Sequence, residues 1–259
     1  MNKMPSLFIG HGSPMNIVEK NSYTEALAAL AATLPKPRAI LVVSAHWVAP
    51  EIRITSSPRP AQIYDFFGFP DELYKIGYAA PGSPELASRT ASLLARAGFP
   101  SKEDPNRGID HAAWAVLTHL YPEADIPVLE LSLDYRLKPL RWFEVGAALS
   151  ALREEGVLLI GSGNIVHNLY RFEMATDAKP YPWAIKFNAA VKQAIASDER
   201  EKLASFALPV DESRDAVPTP EHYVPLLAFL GMAAEGEKAS VFHESFQNAS
   251  IAMTGFIIG

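Results

Sequence analysis

The sequence predicts an α/β fold, a three-layer α/β/α sandwich around a mostly parallel or mixed sheet. The first observation is a set of continuous apolar runs of strand length, which are typical of strands covered on both faces. These runs occupy residues 6–9, 39–43 and 157–160, with further candidates at 127–133 and 240–242. The second observation is that helical patterns alternate with the runs, which favours helices packed on a sheet.

The predicted helices have recognisable boundary signals. Ser22 and Glu25 have the spacing of a capping box, which would open an Ala- and Leu-rich helix that stops before residue 35. Ser83 stands before a proline and would cap the next helix, whose apolar stripe is followed by Gly98. Further helices are predicted over 140–152, 183–195 and 223–232.

One stretch, residues 56–84, has neither pattern and contains five prolines among many aromatic side chains. It is too apolar for a linker between domains. Structureless loops of that length in compact proteins are usually functional or disordered. We therefore expect this segment to pack over a site.

The composition excludes several classes of function. The chain has 259 residues, no cysteine and a formal net charge of −6. Without cysteine it cannot form disulfides, thiolate zinc sites, iron–sulfur clusters or a cysteine nucleophile. The acidic balance, with no basic run, argues against a nucleic-acid partner or an anionic membrane surface. The length and the absence of repeats favour a single domain over residues 1–259.

No targeting or spanning segment is evident either. The apolar stretch near the N-terminus is broken by Pro5 and is shorter than the roughly 7–15 residues of a signal-peptide core. No run approaches the roughly 18 apolar residues of a membrane span. We expect a cytoplasmic protein with no membrane partner.

Four of the seven histidines follow predicted strands or open a helix. His11 and His46 come directly after the first two strands, and His167 follows the third after Gly-Ser-Gly-Asn. Ligands of open α/β sheets gather at the carboxyl ends of strands, so these rings can converge. His222 stands at a helix start, where the helix dipole disfavours a protonated ring and so suits a metal ligand.

Other interpretations of these histidines stay open. Each ring could be a turn, packing or surface residue, and the Gly-Ser-Gly segment could cradle a phosphate, although no lysine follows in P-loop spacing. His111, after Asp110, could act as an acid, contact substrate or cap a helix, whereas His119 and His243 are expected to be structural. Scattered imidazoles admit zinc, iron, nickel or copper.

Six segments in this order resemble one family, the DODA-type extradiol ring-opening dioxygenases, which are related to the catalytic subunit of protocatechuate 4,5-dioxygenase. The match runs from residue 5 to about residue 250. The segments are Gly10-His11-Gly12-Ser13-Pro14, Ser44-Ala45-His46-Trp47, Tyr64-Asp65-Phe66-x-Gly68-Phe69-Pro70, Asp110-His111-x-x-Trp114, Gly161-Ser162-Gly163-Asn164-x-x-His167-Asn168 and Glu221-His222-Tyr223-x-Pro225-Leu226.

The resemblance implies a single catalytic domain that opens the ring of a catechol, such as DOPA, with O2 and one divalent metal. It implies Fe(II) for activity, with Zn(II) as an ion that the same site can hold. His11, His46 and His222 would be the metal ligands. His167 would be the active-site base or, with zinc, a fourth ligand, and His111 would lie near substrate and O2.

Three further expectations concern the surroundings of the metal. The aromatic side chains of Tyr64, Phe66, Phe67, Trp114 and Tyr223 could wall the substrate ring. Ala112 stands where the family pattern has glycine, and Glu221 is an alternative ligand to its neighbour His222. Two other functions remain compatible with the residues: a zinc-dependent hydrolase on the same scaffold, and a non-catalytic metal-binding interaction protein. The motifs carry no information on oligomeric state.

Overall fold

The computed structural model of the protein describes residues 3–206 and 213–259. Within these residues, an eight-stranded sheet has the order β4-β3-β5-β2-β6-β1-β10-β7, and β8 pairs with β9 separately. The strands are β1 (Ser6–Gly10), β2 (Ala39–Ala49), β3 (Ile52–Thr55), β4 (Ser101–Asp104), β5 (Val128–Asp134), β6 (Val157–Gly163), β7 (Ser240–His243), β8 (Phe246–Gln247), β9 (Ile251–Ala252) and β10 (Gly255–Ile258).

The centre of the sheet is parallel and its flanks are mixed. Strands β5, β2, β6 and β1 pair in parallel, whereas β10 pairs antiparallel to both β1 and β7. Helices cover both faces. They are α1 (Ser22–Ala31), α2 (Pro84–Arg96), α3 (His111–Leu120), α4 (Arg141–Leu149), α5 (Ala151–Glu154), α6 (Pro182–Ala196), α7 (Arg200–Ser205), α8 (Ser213–Ala216) and α9 (Val224–Gly231).

Two apolar cores separate the three layers. Successive residues of β2 point to opposite faces, so Leu41 and Val43 pack in one core while Ile40 and Val42 pack in the other. The first core includes side chains of α2, α4, α6 and α9, and the second includes those of α1, α3 and the long 56–83 loop. The predicted α/β/α sandwich around a mixed sheet is therefore confirmed.

Several boundaries differ from the sequence expectations. Helix α1 is capped by Asn21, whose side chain accepts from Thr24 N, while Thr24 Oγ1 accepts from Asn21 N. The expected Ser22–Glu25 box is wrong, because Asn21 occupies the N-cap position one residue earlier and pairs with Thr24. The helix predicted over 140–152 divides at Ser150 into α4 and α5.

Strand β2 is longer than the apolar run that predicted it. The run ends at Val43, but the strand continues to Ala49 and contains His46 rather than preceding it. Pairing with β5 is interrupted between Val43 and Val48, which stand opposite Leu131 and Leu133. Residues 44–47 thus form an irregularity opposite one residue of β5, and this break in the ladder lets the His46 side chain turn toward the carboxyl edge of the sheet.

A candidate metal centre at the carboxyl edge of the sheet

Three segments bring three histidines to one point. His11 directly follows β1, and its backbone N–H donates to the carbonyl oxygen of Gly163 at the end of β6. His46 lies in the irregular part of neighbouring β2. His222 precedes α9 and is held against β6, because its carbonyl oxygen accepts from the backbone N–H of Asn164 at 2.8 Å. The expected convergence at strand ends follows from the parallel order of β2, β6 and β1.

The Nε2 atoms of these three rings face one another. His46 Nε2 lies 3.1 Å from His11 Nε2 and 3.2 Å from His222 Nε2. The ligand atoms of the three residues all lie within 4.8 Å of one another. Such separations suit nitrogen donors around one divalent ion, for which metal–nitrogen distances are about 2.0–2.1 Å.

The opposite nitrogen of each ring fixes where the proton sits. Ser162 Oγ donates to the carbonyl oxygen of Ala112, so it accepts from His11 Nδ1, 3.1 Å away. His46 Nδ1 lies 2.9 Å from Asp65 Oδ2, and His222 Nδ1 lies 3.4 Å from Glu221 Oε1. Ionised carboxylates only accept, and the Ser162 hydroxyl already donates elsewhere. Nδ1 of each ring is therefore the nitrogen that carries the proton, and Nε2 presents a lone pair.

Burial disfavours the charged form of two of the three rings, His11 and His222. It lowers the pKa of His11 well below its ordinary value, and the neighbouring His46 lowers it further. The pKa of His222 falls to about 4 because burial outweighs the opposing effect of the Glu221 carboxylate. For Glu221, burial raises the pKa, but the His222 contact overcomes it and the value falls to about 2. A neutral imidazole with a hydrogen-bond acceptor behind it is the state that binds a metal.

Of the two candidate ligands at positions 221 and 222, only His222 points toward the other two rings. Glu221 contacts Nδ1 of His222, the nitrogen that points away from the other two rings. The group of convergent donors contains His222 and not Glu221. Glu221 therefore supports the ring orientation of His222, much as carboxylates behind metal-bound histidines commonly do.

Asp65 joins the cluster to His111. Its Oδ1 lies 2.9 Å from His111 Nδ1 and accepts from the His111 backbone N–H, while its Oδ2 faces His46. Burial raises the pKa of this carboxyl, but contacts with His111 and His46 hold it well below its ordinary range. Sequence reasoning gave Asp65 no role, although the residue stands inside one of the quoted motifs, Tyr64-Asp65-Phe66.

His111 begins α3 and lies beside the three rings. Its ring centroid is 4.2 Å from that of His46, and burial lowers the pKa of the imidazole. Asp110, the N-cap of α3, accepts from Ser44 Oγ, which ties α3 to the segment of β2 that precedes His46. The carbonyl oxygen of Ala112 accepts from Ser162 Oγ, and with alanine at position 112 His111 still lines a cavity.

His167 stacks on His222 and is not one of the convergent donors. The two rings are parallel, with 3.5 Å between centroids. Burial lowers the pKa of His167 well below its ordinary value, with His222 adding to the effect. None of the described residues hydrogen-bonds to its ring nitrogens, whereas its backbone N–H donates to Ala216. A neutral, unengaged imidazole on the pocket wall can accept a proton from a bound molecule.

A cavity of about 310 Å³ opens over the five histidines His11, His46, His111, His167 and His222. The long loop supplies Asp65, Phe66, Phe67 and Phe69 to its lining, which agrees with the expectation that the loop packs over a site. The remaining lining residues are Gly12, Ser13, Pro14, Leu169, Phe172, Asn248 and Ile251.

Three of the expected substrate-walling aromatics lie elsewhere. Tyr223 is fully buried in the first core against Phe187 and Phe206 and does not line the cavity. Trp114 is fully buried behind the loop, where its Nε1 donates to the carbonyl oxygen of Ile63. Tyr64 packs on Trp114 and donates to Ile76 O, so both shape the loop rather than the cavity surface.

The other two histidines are engaged away from the cavity. His119 Nε2 lies 2.7 Å from the carbonyl oxygen of Asn16 and therefore donates to it. His243 Nε2 lies 2.7 Å from Ser245 Oγ, and its ring contacts Tyr23. Across the described ranges, none of the helices is both long and apolar enough to cross a membrane.

Two of the known proteins similar to this chain carry the same name. A protein of Escherichia coli (strain K12) named 4,5-DOPA dioxygenase extradiol is 45% identical over 99% of this chain and 95% of its own length. A protein of Beta vulgaris with the same name is 38% identical over 95% of this chain and 92% of its own length. The crystal structure of an uncharacterized Escherichia coli K12 protein superposes with a TM-score of 0.86, at 41% identity, covering 99% of this chain and 100% of that one.

The family match covers nearly the whole chain. Residues 5–259 match the family described as the catalytic LigB subunit of aromatic ring-opening dioxygenase. This range includes every histidine of the cluster and the loop that covers it. The chain belongs to the LigB family of aromatic ring-opening, extradiol dioxygenases, which are metal-dependent oxidoreductases.

Proposed function

We propose that the protein opens the ring of a catechol with O2, at the carbon–carbon bond next to the diol, using one divalent metal held by His11, His46 and His222. One observation carries the proposal. Nε2 of His46 lies 3.1 Å from Nε2 of His11 and 3.2 Å from Nε2 of His222, and the Nδ1 atom of each of the three rings faces an oxygen acceptor behind the ring. Three convergent acceptors without a shared proton repel one another, and a bound cation removes that repulsion.

The donor set favours Fe(II) for activity and also accepts Zn(II). Imidazole suits both ions, and thiolate ligands are absent because the chain has no cysteine. Bound Fe(II) would supply Lewis acidity toward the diol and one-electron chemistry toward O2, whereas Zn(II) supplies only the former. Because the three ligands are neutral, the site would keep the full charge of the ion, which favours an anionic diol.

His167 is the group suited to remove a proton from the diol. Its ring is neutral because burial lowers its pKa, and its nitrogens are unengaged by the described residues. His111, held by Asp65 at the adjacent wall, is placed to return a proton as the ring opens. The reaction balances without another reactant: one ring carbon–carbon bond breaks, and both atoms of O2 enter the product.

The cavity supports an aromatic substrate of modest size. A volume of about 310 Å³ fits a single ring with a short side chain. Phe66, Phe69 and Ile251 line it with apolar surface, which would exclude bulk water from the reacting atoms. We further propose that residues 1–259 act as one catalytic domain, since the family match spans 5–259.

The test is reconstitution without oxygen. The protein is loaded anaerobically with Fe(II), a catechol is added, and O2 is then admitted while oxygen uptake and visible absorbance are followed. L-DOPA is the first catechol to try, because relatives are named for it. We expect one O2 consumed per yellow ring-opened product, with no uptake by the matched zinc-loaded sample. No uptake across a panel of substituted catechols would refute the proposal.

A further inference from the structure

We propose that Glu130 is a positioning residue for the ring-opening reaction: it is held as a neutral carboxylic acid and, through Asp110, keeps His111 in place at the wall of the cavity. This inference rests on the proposed function, in which His111 returns a proton as the ring opens. Glu130 is not one of the described residues that line the cavity. It acts through Asp110, the residue that caps helix α3 directly before His111.

Glu130 is a fully buried acidic residue in an interior strand of the sheet. It lies in β5 opposite Val42 of β2. Its neighbours Leu129 and Leu131 pack in the first core, so its side chain points to the other face of the sheet, where α3 lies. Acidic side chains are almost never fully buried unless they are paired, so this carboxyl group needs a partner inside the protein.

The partner is Asp110. Its backbone N–H donates to Glu130 Oε1 at 2.8 Å, and the two carboxyl side chains are hydrogen-bonded to each other. A bond between two carboxyl groups needs a proton on one of them, because an ionised carboxylate can only accept. Both residues are fully buried, and two neighbouring carboxyl groups that are shielded from water do not both ionise. One of the two is therefore protonated.

The donors around this pair place the proton on Glu130. Asp110 accepts from Ser44 Oγ and from the backbone N–H of Ala112. It also accepts from Arg107 Nη2 at 2.8 Å, and a guanidinium favours an ionised carboxylate. Glu130 Oε2, in contrast, accepts from none of the described residues, so a proton there gives this atom a bond to Asp110. Burial raises the pKa of Glu130 well above its ordinary value, and the charge of Asp110 raises it further, whereas Arg107 opposes the rise without cancelling it.

Asp110 passes this restraint on to the cavity. Its side chain holds the first turn of α3, in which His111 is the first residue. Ser44, which donates to Asp110, also accepts from the backbone N–H of His46. Loss of the bonds from Glu130 would leave a buried N–H and a buried carboxylate of Asp110 to find new partners, which would displace the start of α3. A displacement of about 1 Å at a reacting group can cost about 10²-fold in rate.

Infrared spectroscopy tests the protonation without any turnover. At neutral pH we expect the wild-type protein to show the carbonyl band of a protonated carboxylic acid, and we expect Glu130→Gln to lack it. No difference between the two spectra would overturn the inference. The measurement needs neither metal nor catechol, so it still applies if no catechol is turned over and the proposed function fails.

The position of His111 can also be followed without turnover. In zinc-loaded protein with ¹⁵N-labelled histidine, the ring signals of His111 should shift in Glu130→Leu, which makes neither bond to Asp110. They should stay in place in Glu130→Gln, whose amide can both accept from and donate to Asp110. Unshifted His111 signals in Glu130→Leu would overturn the inference.

Kinetics of the Fe(II)-loaded protein test the consequence for the reaction. We expect kcat of Glu130→Gln to stay near the wild-type value. In Glu130→Leu it should fall by about tenfold or more, with KM and metal content little changed, because His111 acts as the ring opens rather than in binding. A loss of that size in Glu130→Gln, or no loss in Glu130→Leu, would contradict the positioning role.

Thr55→Val is the matched control for lost stability. It removes the hydrogen bond to the backbone N–H of Glu130 but leaves both bonds to Asp110. It should lower Tm without lowering kcat. A fall in kcat as large as that of Glu130→Leu would mean that the effect is a loss of stability, and the positioning role would be refuted. If Glu130→Leu does not fold, the infrared band and the activity of Glu130→Gln still decide the inference.

Discussion

The ring of His167 lies parallel to the ring of His222, with 3.5 Å between centroids and an angle of 5° between planes. A stacked ring presents its edge nitrogens alongside its partner rather than toward the point where His11, His46 and His222 meet. His167 is therefore placed next to the metal position without belonging to the donor set. This relationship favours the role of base over that of fourth ligand, two roles between which the sequence alone does not distinguish.

Replacing His167 by alanine should abolish turnover while metal stays bound. General acid–base groups typically contribute about 10²–10⁴-fold, so kcat of His167→Ala should fall by at least 10²-fold. Metal content per chain after anaerobic loading and desalting should match the wild type. His222→Ala is the comparison variant and should lose the metal. Loss of metal from His167→Ala would make His167 a ligand and contradict the assignment.

Asp65→Asn should weaken metal binding by about 10–100-fold, the usual effect of removing a carboxylate behind a metal-bound histidine. The amide keeps the shape but no longer favours a proton on Nδ1 of both His46 and His111. Competition with a chromophoric chelator measures the change. Asp71→Asn, an exposed substitution in the same loop, should bind metal like the wild type. An unchanged metal affinity in Asp65→Asn would show that the carboxylate does not tune His46.

Much of this site could be predicted because strand ends are visible in sequence. The apolar runs before His11, His46 and His167 mark buried strands, and parallel strands place their carboxyl ends at one edge. His222 was harder to predict, since only a helix start pointed to it. Its contact with β6 depends on Gly163, where the absence of a side chain lets the backbone of His222 approach closely.

The features that sequence reasoning missed depend on tertiary contacts. The loop that carries Asp65 folds back over histidines from two other elements, and no periodicity indicates that path. The irregular part of β2 contains polar and aromatic residues, so the apolar run predicted a strand that is shorter than the one in the structure. Tyr223 and Trp114 are aromatic residues near candidate ligands in sequence, but helix geometry directs both into the cores. Spacing to a histidine does not determine which side of an element a ring occupies.

Gly163→Ala should weaken metal binding by displacing the backbone of the candidate ligand His222. A β-carbon at position 163 would overlap the carbonyl oxygen of His222, a backbone atom that cannot move without shifting the ligand. We expect a loss of about 1–3 kcal/mol in the free energy of unfolding, typical of overpacking, together with reduced metal content. Gly77→Ala is the matched control, since nothing lies within 4 Å of a β-carbon there. Wild-type metal binding and stability in Gly163→Ala would contradict the close packing of β6 on His222.

A buried ion pair far from the metal should make stability depend on pH. Arg153 is fully buried and donates to the carbonyl oxygens of Met4, Met232 and Ile258, as well as to both carboxylate oxygens of Glu237. Burial raises the pKa of Glu237, but the hydrogen bond from Arg153 and further bonds outweigh it, and the value falls to about 2. This pair joins the N-terminal segment, the end of α9 and the C-terminal strand.

Glu237→Gln should therefore lower the free energy of unfolding by about 2 kcal/mol at pH 7, after allowance for the partial exposure of the carboxylate. A carboxyl group whose pKa is lowered by folding stabilises the protein above its unfolded value, about 4.3, and loses that contribution as pH falls toward 2. Urea unfolding of both proteins from pH 7 to pH 3 should show the difference shrinking below about pH 4.5. Glu235→Gln, an exposed neighbour, should show no difference at any pH. A difference for Glu237→Gln that stayed constant with pH would mean that the lost stability comes from packing rather than from the ionised pair.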